Sequence, residues 1–498
     1  MKTVIGIDNG TQSTKVIFYN YEEKTVVASA SRNHGLVSRE DGTKEQKASW
    51  WIKALRECFA QIPEAVKKTA VAVGVSGQQH GFVPLDEKGE VLYNVKLWCD
   101  TTTVDECGEI ENRVGSADEL FKEGGNRILP GYTASKILWL KKNQPDTYEK
   151  MRHILLPHDY INFYLTGRYT MEYGDASGTG LLDVRNRKWN RKIIKALDPQ
   201  RDLLHFLPRL LEADEPAGRI TVKAAEELGL PEGILVSSGG GDNMMGAVGT
   251  GTVSTGMMTM SLGTSGTIYG YSGTPLIDES ENIAAFCSST GGWLPLLCTM
   301  NCTVGTELTR SLFDVGVKEF DAEAAKAPAG SGGVITLPFF TGERTPNLPN
   351  GRGCFVGMTD TNMKKENIFR STMESAVLGM RLGLETFRDL GFAPREIRIT
   401  GGGANSPLWR QITADILNLP VIVPVYKEAA ALGAGLQALW SYLRGDEKNE
   451  VAIEAITEEH VVFDEESKCI PDSQAVVVYD GVYKRYRRYI EAVKPLFE

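Results

Sequence analysis

Two short hairpins that share one turn sequence, half a chain apart, restrict this chain more than any other feature. The first runs from an extended Val4–Asp8 through Asn9-Gly10-Thr11-Gln12-Ser13-Thr14 into an extended Lys15–Tyr19. The second runs from Met258–Leu262 through Gly263-Thr264-Ser265-Gly266 into Thr267-Ile268-Tyr269. Their Gly-Thr pairs begin at positions 10 and 263 of 498, which is the mark of a duplicated unit. A second echo points the same way. Ser238-Gly239-Gly240-Gly241-Asp242-Asn243 and Thr400-Gly401-Gly402-Gly403-Ala404-Asn405 each follow an apolar run and precede a helical pattern, and only the first carries an acid.

Around these anchors the chain alternates strand-like and helix-like segments, which gives an α/β class with mixed sheets. The longest amphipathic helix falls between Glu366 and Leu390, with Ile368, Phe369, Met373, Val377, Met380, Leu384 and Phe387 at helical spacing. Another is expected from Pro407, behind an N-cap at Ser406, to Leu419, and a last one over Asp480–Lys494. The domain boundary is expected between the two glycine clusters, giving units 1–248 and 249–498.

Composition narrows the function. Lys and Arg total 54 against 64 Asp and Glu, a net charge of −10, which disfavours nucleic acid and anionic membrane as partners. The eight cysteines form no C-x-x-C pair, as expected of reduced thiols in a cytoplasmic protein. From Asn243 to Ile277 no residue is charged, yet the run is rich in Gly, Ser and Thr, so it reads as buried strand and loop rather than a membrane helix. The N-terminus lacks the basic and apolar regions of a leader. The 52 glycines are about 10% of the chain against a usual 7% or so, and they cluster, which suggests backbone lying close to a ligand.

Gly, Thr and Ser in the hairpin turns offer the N–H and hydroxyl groups that hold a triphosphate. Asp8 would hold Mg²⁺ through water, and Lys15 would reach a phosphate oxygen. No Gly-Lys dipeptide is present, so a Walker A loop is excluded, and G-x-S-x-G and H-E-x-x-H are absent too. Asp242 has two readings at this point: an acid at the phosphoryl-transfer site, or an N-cap of the helix that follows. Gly77-Gln78-Gln79-His80-Gly81 ends the apolar strand Val71–Val75, where α/β proteins bind ligands, and Gln79 and His80 suit a neutral polyhydroxylated substrate. Trp98 and Asp100 are candidates for an apolar platform and a hydroxyl acceptor, with simple packing as the alternative.

These residues resemble the FGGY carbohydrate kinases. Asp8-x-Gly10-Thr11-x-x-Thr14-Lys15 is similar to the family's first phosphate loop. Gly131-x-Thr133-x-x-Lys136-Ile137-x-Trp139-Leu140-x-Lys142-Asn143 fits one family signature. Gly353-x-Phe355-x-Gly357-Met358, followed by Asn367-Ile368-x-x-Ser371-Thr372-Met373-Glu374, fits another. The resemblance covers residues 1 to about 440. It implies two duplicated ribonuclease H-like domains, of the actin and hexokinase type, with a cleft between them. It further implies ATP with Mg²⁺ and Asp242 as catalytic base; Asp8 and Asp242 are the expected holders of the metal, mostly through water, and Asn243 an expected sugar contact. Gly263 and Thr264 would form the second phosphate loop and Gly402, Gly403 and Asn405 the adenosine site, while Gly342–Pro346 matches a segment near the cleft.

Gln79-His80 resembles the sugar-binding segment of the family's xylulokinase subgroup, so the expected reaction is transfer of the ATP γ-phosphate to O5 of D-xylulose. Ribulose, gluconate or glycerol as acceptor, and a non-kinase ATPase or a regulator of the same fold, are the alternatives. A homodimer is compatible with these features. The chain departs from the subgroup at His158 of Pro157-His158-Asp159-Tyr160, where lysine is common, and a changed charge near the sugar is the expected consequence.

Overall fold

The computed structural model describes residues 1–497. Two six-strand ladders form its frame. In the first, β1 (Thr3–Asn9), β2 (Ser13–Asn20), β3 (Thr25–Asn33), β4 (Ala70–Gly77), β5 (Gly218–Arg219) and β6 (Leu235–Val236) are arranged β3-β2-β1-β4-β6-β5, and a further short strand, β7 (Gly240–Gly241), pairs with the end of β4. The second contains β8 (Met257–Leu262), β9 (Gly266–Gly270), β10 (Leu296–Thr299), β11 (Glu396–Thr400), β12 (Val421–Pro424) and β13 (Phe463–Cys469), arranged β10-β9-β8-β11-β12-β13. Step by step the directions agree. Two antiparallel pairings lead to the central strand, two parallel ones follow, and an antiparallel edge closes each sheet. The duplication expected from the two hairpins is therefore a duplication of whole sheets.

The second sequence echo is not part of it. Ser238–Asn243 follows β6, the third strand of its parallel run, whereas Thr400–Asn405 follows β11, the second. The structural counterpart of Thr400-Gly401 is thus the end of β4 at Gly77, and the likeness of the two Gly-Gly-Gly triplets reflects a shared need for close backbone approach rather than shared position.

The helices packed around the cleft and its supporting sheets include α1 (Thr133–Asn143), α2 (Pro157–Thr166), α3 (Asp242–Gly249), α4 (Lys365–Asp389), α5 (Pro407–Leu417), α6 (Ala429–Gly445) and α7 (Ser473–Val493). The helix expected at 366–390 is α4. The one expected at 407–419 is α5, capped by the Ser406 hydroxyl accepting from Trp409 N and ended by Asn418 at φ 52°. The last helix begins seven residues before the expected Asp480, where the Asp472 carboxylate accepts from Gln474 N and Ala475 N.

Burial on both faces explains the near-continuous apolar strands. In β1, Ile5 and Ile7 face a cluster with Val16, Phe18, Trp51, Val73 and Val75, while Val4 faces another with Ile17, Ala72, Ala431 and Ala434. That second face is covered by α6, a helix from the other half of the chain. It can approach because β1 and β4 present glycine there: a methyl group on Gly6 would sit 1.9 Å from the Ala431 carbonyl oxygen, and one on Gly74 equally close to that of Ala434. Where α3 and α6 cross, the contact is reciprocal. A methyl on Gly249 would fall 1.8 Å from Ala429 O, and one on Gly433 1.8 Å from Met245 O. The two halves are joined backbone to backbone at this crossing. Among the described residues no helix is long and apolar enough to cross a membrane.

Candidate active site

A cavity of about 860 Å³ opens where the carboxyl ends of β1, β4, β8 and β11 converge. Asp8 enters it from β1, Gln79 and His80 from the end of β4, Asp242 and Asn243 from the start of α3, Gly263 and Thr264 from the β8–β9 turn, and Thr400 and Gly401 from the end of β11.

Backbone register places the two acids. Asp8 lies opposite Ser76, and Ser76 lies opposite Gly240 on its other side, so β1, β4 and β7 set one row across three strands. The Ser76 hydroxyl donates to Asp8 Oδ1 at 2.9 Å. Two strand spacings separate Asp8 from Gly240 by about 10 Å, and Asp242 follows two residues on, so the carboxylates face the same cavity.

Asp242 does not cap α3. The N-cap residue is Gly241, which makes no side-chain capping bond, and Asp242 occupies the first helical position. Its Oδ1 accepts from Asn243 N at 2.8 Å, and the Asn243 amide also donates to Gln79 Oε1 at 2.8 Å. Loss of water raises the Asp242 carboxyl to about 7, with the charge of Asp8 adding to the rise. Asp8 is raised to about 6 for the same first reason, against the lowering effect of Ser76 and Lys15. Each is an acid whose negative charge the protein alone leaves poorly compensated.

At the other end of the cavity the wall around His80 is aromatic and, Arg344 apart, neutral. Burial, then Lys136 and Arg344, lower His80 to about 3, so the imidazole is uncharged. Its ring packs on Tyr132 and Phe286, with centroids 4.8 and 5.9 Å away. Trp98 lines the same end and donates from Nε1 to the Thr11 hydroxyl at 3.0 Å. The buried Gln79 Nε2 has no partner among the described residues.

Several expected site residues lie elsewhere. Asp100 is fully buried and off the cavity wall. Its carboxylate accepts from Lys44 N, Lys96 Nζ, Thr102 N and the Thr102 hydroxyl, which leaves no oxygen for a ligand. Gly10, Thr11 and Lys15 also stand outside the wall: the Thr11 hydroxyl accepts from Trp98, and Lys15 Nζ lies 2.5 Å from the Glu428 carboxylate. Gly402, Gly403 and Asn405 lie just beyond Thr400 and Gly401, with Asn405 Oδ1 accepting from Lys427 Nζ at 3.0 Å. His158 does not alter the charge at the cavity surface. It is buried behind Gly77 and Gly239 with Nδ1 2.6 Å from Asp175 and Nε2 3.0 Å from Asp159, and this pairing raises its pKa well above the ordinary value.

Arg344 lies on the wall, within the Gly342–Pro346 segment expected near the cleft, whereas Phe286 and Tyr132 are wall residues that the sequence did not single out. Tyr132 occupies an unspecified position inside the signature that begins at Gly131. Phe286 belongs to an irregular segment between β9 and β10 that docks on the first half, where Asn126 exchanges two hydrogen bonds with Ala285, and no local pattern marks it.

Known proteins fall in line with this geometry. The N-terminal domain of the FGGY family of carbohydrate kinases matches residues 3–249, and the C-terminal domain of that family matches residues 258–442. The chain belongs to the FGGY carbohydrate kinases. A xylulose kinase of Haemophilus influenzae is 41% identical over 98% of this chain and 99% of its own length, and one of Streptomyces coelicolor is 34% identical over 90% of each. The crystal structure of a xylulose kinase from Rhodospirillum rubrum superposes with a TM-score of 0.89 at 26% identity, covering both chains in full. The two-domain α/β fold of these kinases is the fold described above. As a carbohydrate kinase the chain takes a sugar and ATP as substrates.

Asp8 and Asp242 fit the Mg²⁺ that such a reaction requires. Both offer hard carboxylate oxygens to one cavity, and both are raised in pKa as acids lacking a counter-charge. Among the described residues no cluster of three or more His, Cys, Asp or Glu is placed to chelate a metal, so these two acids would hold it together with water and phosphate oxygens.

Proposed function

We propose that this kinase phosphorylates D-xylulose at O5, with Asp242 as the base. The observation that carries the reading is the position of Asp242 at the junction of a neutral, aromatic-walled pocket and a glycine-rich turn, free of the capping role that would otherwise account for it. Two relatives named xylulose kinase, at 41% and 34% identity, support the choice of sugar.

Tyr132, Phe286 and Trp98 would pack against the carbon skeleton, and Gln79 Nε2 would donate to a sugar hydroxyl in place of the partner it lacks. Asp242 accepts a hydrogen bond from the O5 hydroxyl, aims an oxygen lone pair along the line of transfer, and takes the proton as the new P–O bond forms. Such late proton transfer contributes about 10²–10⁴ in rate. Bound Mg²⁺ supplies neutralisation of the donor phosphates. Enclosure between the halves excludes water as a competing acceptor.

Arg344 is the one feature favouring a second reading. Its backbone N donates to Glu343 Oε1 at 2.7 Å, but its guanidinium has no hydrogen-bonded or ion-pair partner among the described residues, which suits a carboxylated sugar such as gluconate. Sugar-dependent ADP release across D-xylulose, D-ribulose, gluconate and glycerol separates the two. D-xylulose is expected to give the highest kcat/KM, and faster turnover of gluconate would replace the first reading with the second. Asp8→Ala should raise the Mg²⁺ concentration needed for half-maximal rate; an unchanged metal requirement would remove Asp8 from the metal site.

A further inference from the structure

Two lysines are buried beside the neutral end of the cavity, and they are satisfied in opposite ways. Lys96 lies among carboxylates, 3.0 Å from Asp100 and 3.4 Å from Glu45. Lys136, on α1, is fully buried and pairs with no carboxylate among the described residues. Its Nζ donates to two backbone carbonyls, His80 O and Gly131 O, each at 2.7 Å. A lysine buried without a counter-ion is unfavourable, and lost water lowers Lys136 to about 7. The amine has two N–H groups even when neutral, so both bonds persist in either protonation state.

The two carbonyls belong to loops that build the sugar end. His80 follows β4 in a left-handed conformation at φ 63°, which a side-chain-bearing residue adopts only when held. Lys136 and, at 3.2 Å, the Thr133 hydroxyl are the donors to its carbonyl. Gly131 lies against the backbone of Trp98, where an added methyl would sit 2.5 Å from Trp98 O, and Tyr132 follows it directly. His80, Trp98, Gly131 and Tyr132 all line the cavity. A single amine therefore joins the segments that carry the His80 imidazole and the Tyr132 ring. It reaches none of the residues that face the donor phosphates, Gly263 and Thr264 among them.

We infer that Lys136 is a positioning residue for the sugar, fixing the His80 and Gly131–Tyr132 loops at the spacing that the acceptor needs. This rests on the reading that the acceptor occupies the His80–Trp98 end of the cavity, whichever sugar it is. The lysine touches neither substrate, so its removal should act on acceptor binding and leave donor binding alone.

The test is Lys136→Met, which keeps the length and apolar stem and removes the amine, assayed with D-xylulose and, in parallel, with whichever acceptor the wild-type enzyme turns over best. The acceptor KM should rise about tenfold or more, while the ATP KM stays within about twofold of wild type. Lys136→Gln, whose amide can still reach one carbonyl, should recover part of the loss. Thr133→Val removes only the second donor to His80 O, is close in shape, and should raise the acceptor KM by about two- to threefold, so it decides the matter should Lys136→Met not fold. Equal rises in the acceptor and ATP KM values would show a general structural role and overturn the proposal. So would an unchanged acceptor KM in a folded Lys136→Met, or in Thr133→Val if that is the folded variant. A different preferred sugar would defeat the D-xylulose reading and leave the Lys136 test intact.

Discussion

The two halves share a sheet and differ in what they place at its end. In the first, β1 brings in Asp8 near its end and the third parallel strand runs on through β7 into Asp242, so the two acids set by the strand ends both come from this half. In the second, β8 ends in Gly263-Thr264 and β11 in Thr400-Gly401, all uncharged. The helix crossing sets Met245 and Gly249 of α3 against Ala429 and Gly433 of α6. The same count carried back from the crossing leads to Asp242, which opens α3 and lines the cavity, and to Tyr426, which precedes α6 and does not. Duplication supplies a cleft with strand ends on both sides. Divergence then puts two buried carboxylates at the strand ends of one side and uncharged glycine-threonine turns at those of the other, an arrangement suited to in-line transfer between an alcohol and a polyanion.

The sharpest way to break this comparison is to change one residue on each side. Asp242→Asn keeps size and shape and removes the proton acceptor, so kcat should fall by about 10²-fold or more while sugar affinity changes by less than about threefold. Tyr426→Phe, at the matching place in the second half, should leave kcat within about twofold of wild type. Steady-state kinetics on the two purified variants checks both, and comparable losses would mean that the halves are not divided in this way.

The crossing itself is the next largest effect. Gly433→Ala puts a methyl against the Met245 carbonyl, backbone against backbone, where no side chain can give way. Overpacking of this kind costs about 1–3 kcal/mol or more, so the variant should melt well below wild type or fail to accumulate. Gly402→Ala, with nothing within 4 Å of the added methyl, should melt close to wild type. If calorimetry shows the two variants equal, the halves are not fixed at this crossing.

How much of the molecule was legible in the sequence depends on how local each signal is. The hairpins were readable because glycine and hydroxyl residues between apolar runs have few other uses, and α4 because its apolar stripe persists for 25 residues. The edge strand β13 was not, since Phe-Asp-Glu-Glu-Ser-Lys-Cys has the polarity of a loop and owes its pairing to β12. The first turns of α7 were hidden by Val476-Val477-Val478, a β-branched run of low helix propensity whose Val477 and Val478 stay exposed, the helix being held by its Asp472 cap and by the buried residues from Tyr479 on. Asp8, Gln79, His80 and Asp242 stood out at ends of apolar strands. Asp100 was misplaced because an acid after a tryptophan reads the same whether it faces a ligand or Lys96. Phe286 was invisible because its position depends on a contact between the halves.

A smaller effect is expected at the bridge between β2 and the start of α6. Lys15 and Glu428 are partly exposed and meet at 2.5 Å. Exposed pairs contribute about 0–1 kcal/mol, so Glu428→Gln should shift the melting temperature by no more than about 2 °C. The variant also frees Lys15, which the sequence had suggested as a phosphate ligand. The ATP KM should then fall or hold steady. A marked rise would show that Glu428, on the second half, contributes to nucleotide binding directly.

The finest test asks whether the acid half is strained in the way its chemistry implies. The Asp242 carboxyl titrates at about 7 in the fold against 3.8 ordinarily. A raised acid destabilises the folded state when ionised, so the penalty is full above pH 7 or so, shrinks as pH falls through that value, and vanishes only below about 4, where the unfolded chain is protonated too. Asparagine carries no such penalty. With Mg²⁺ removed by a chelator, Asp242→Asn should therefore melt a few degrees above wild type at about pH 8, and the gap should narrow by about pH 5.5. Tyr426→Phe should show no comparable pH-dependent gain. A wild type that is the more stable protein at about pH 8 would mean that the surrounding residues already balance the Asp242 charge, and the difference between the strand ends of the two halves would then be one of composition rather than energetics.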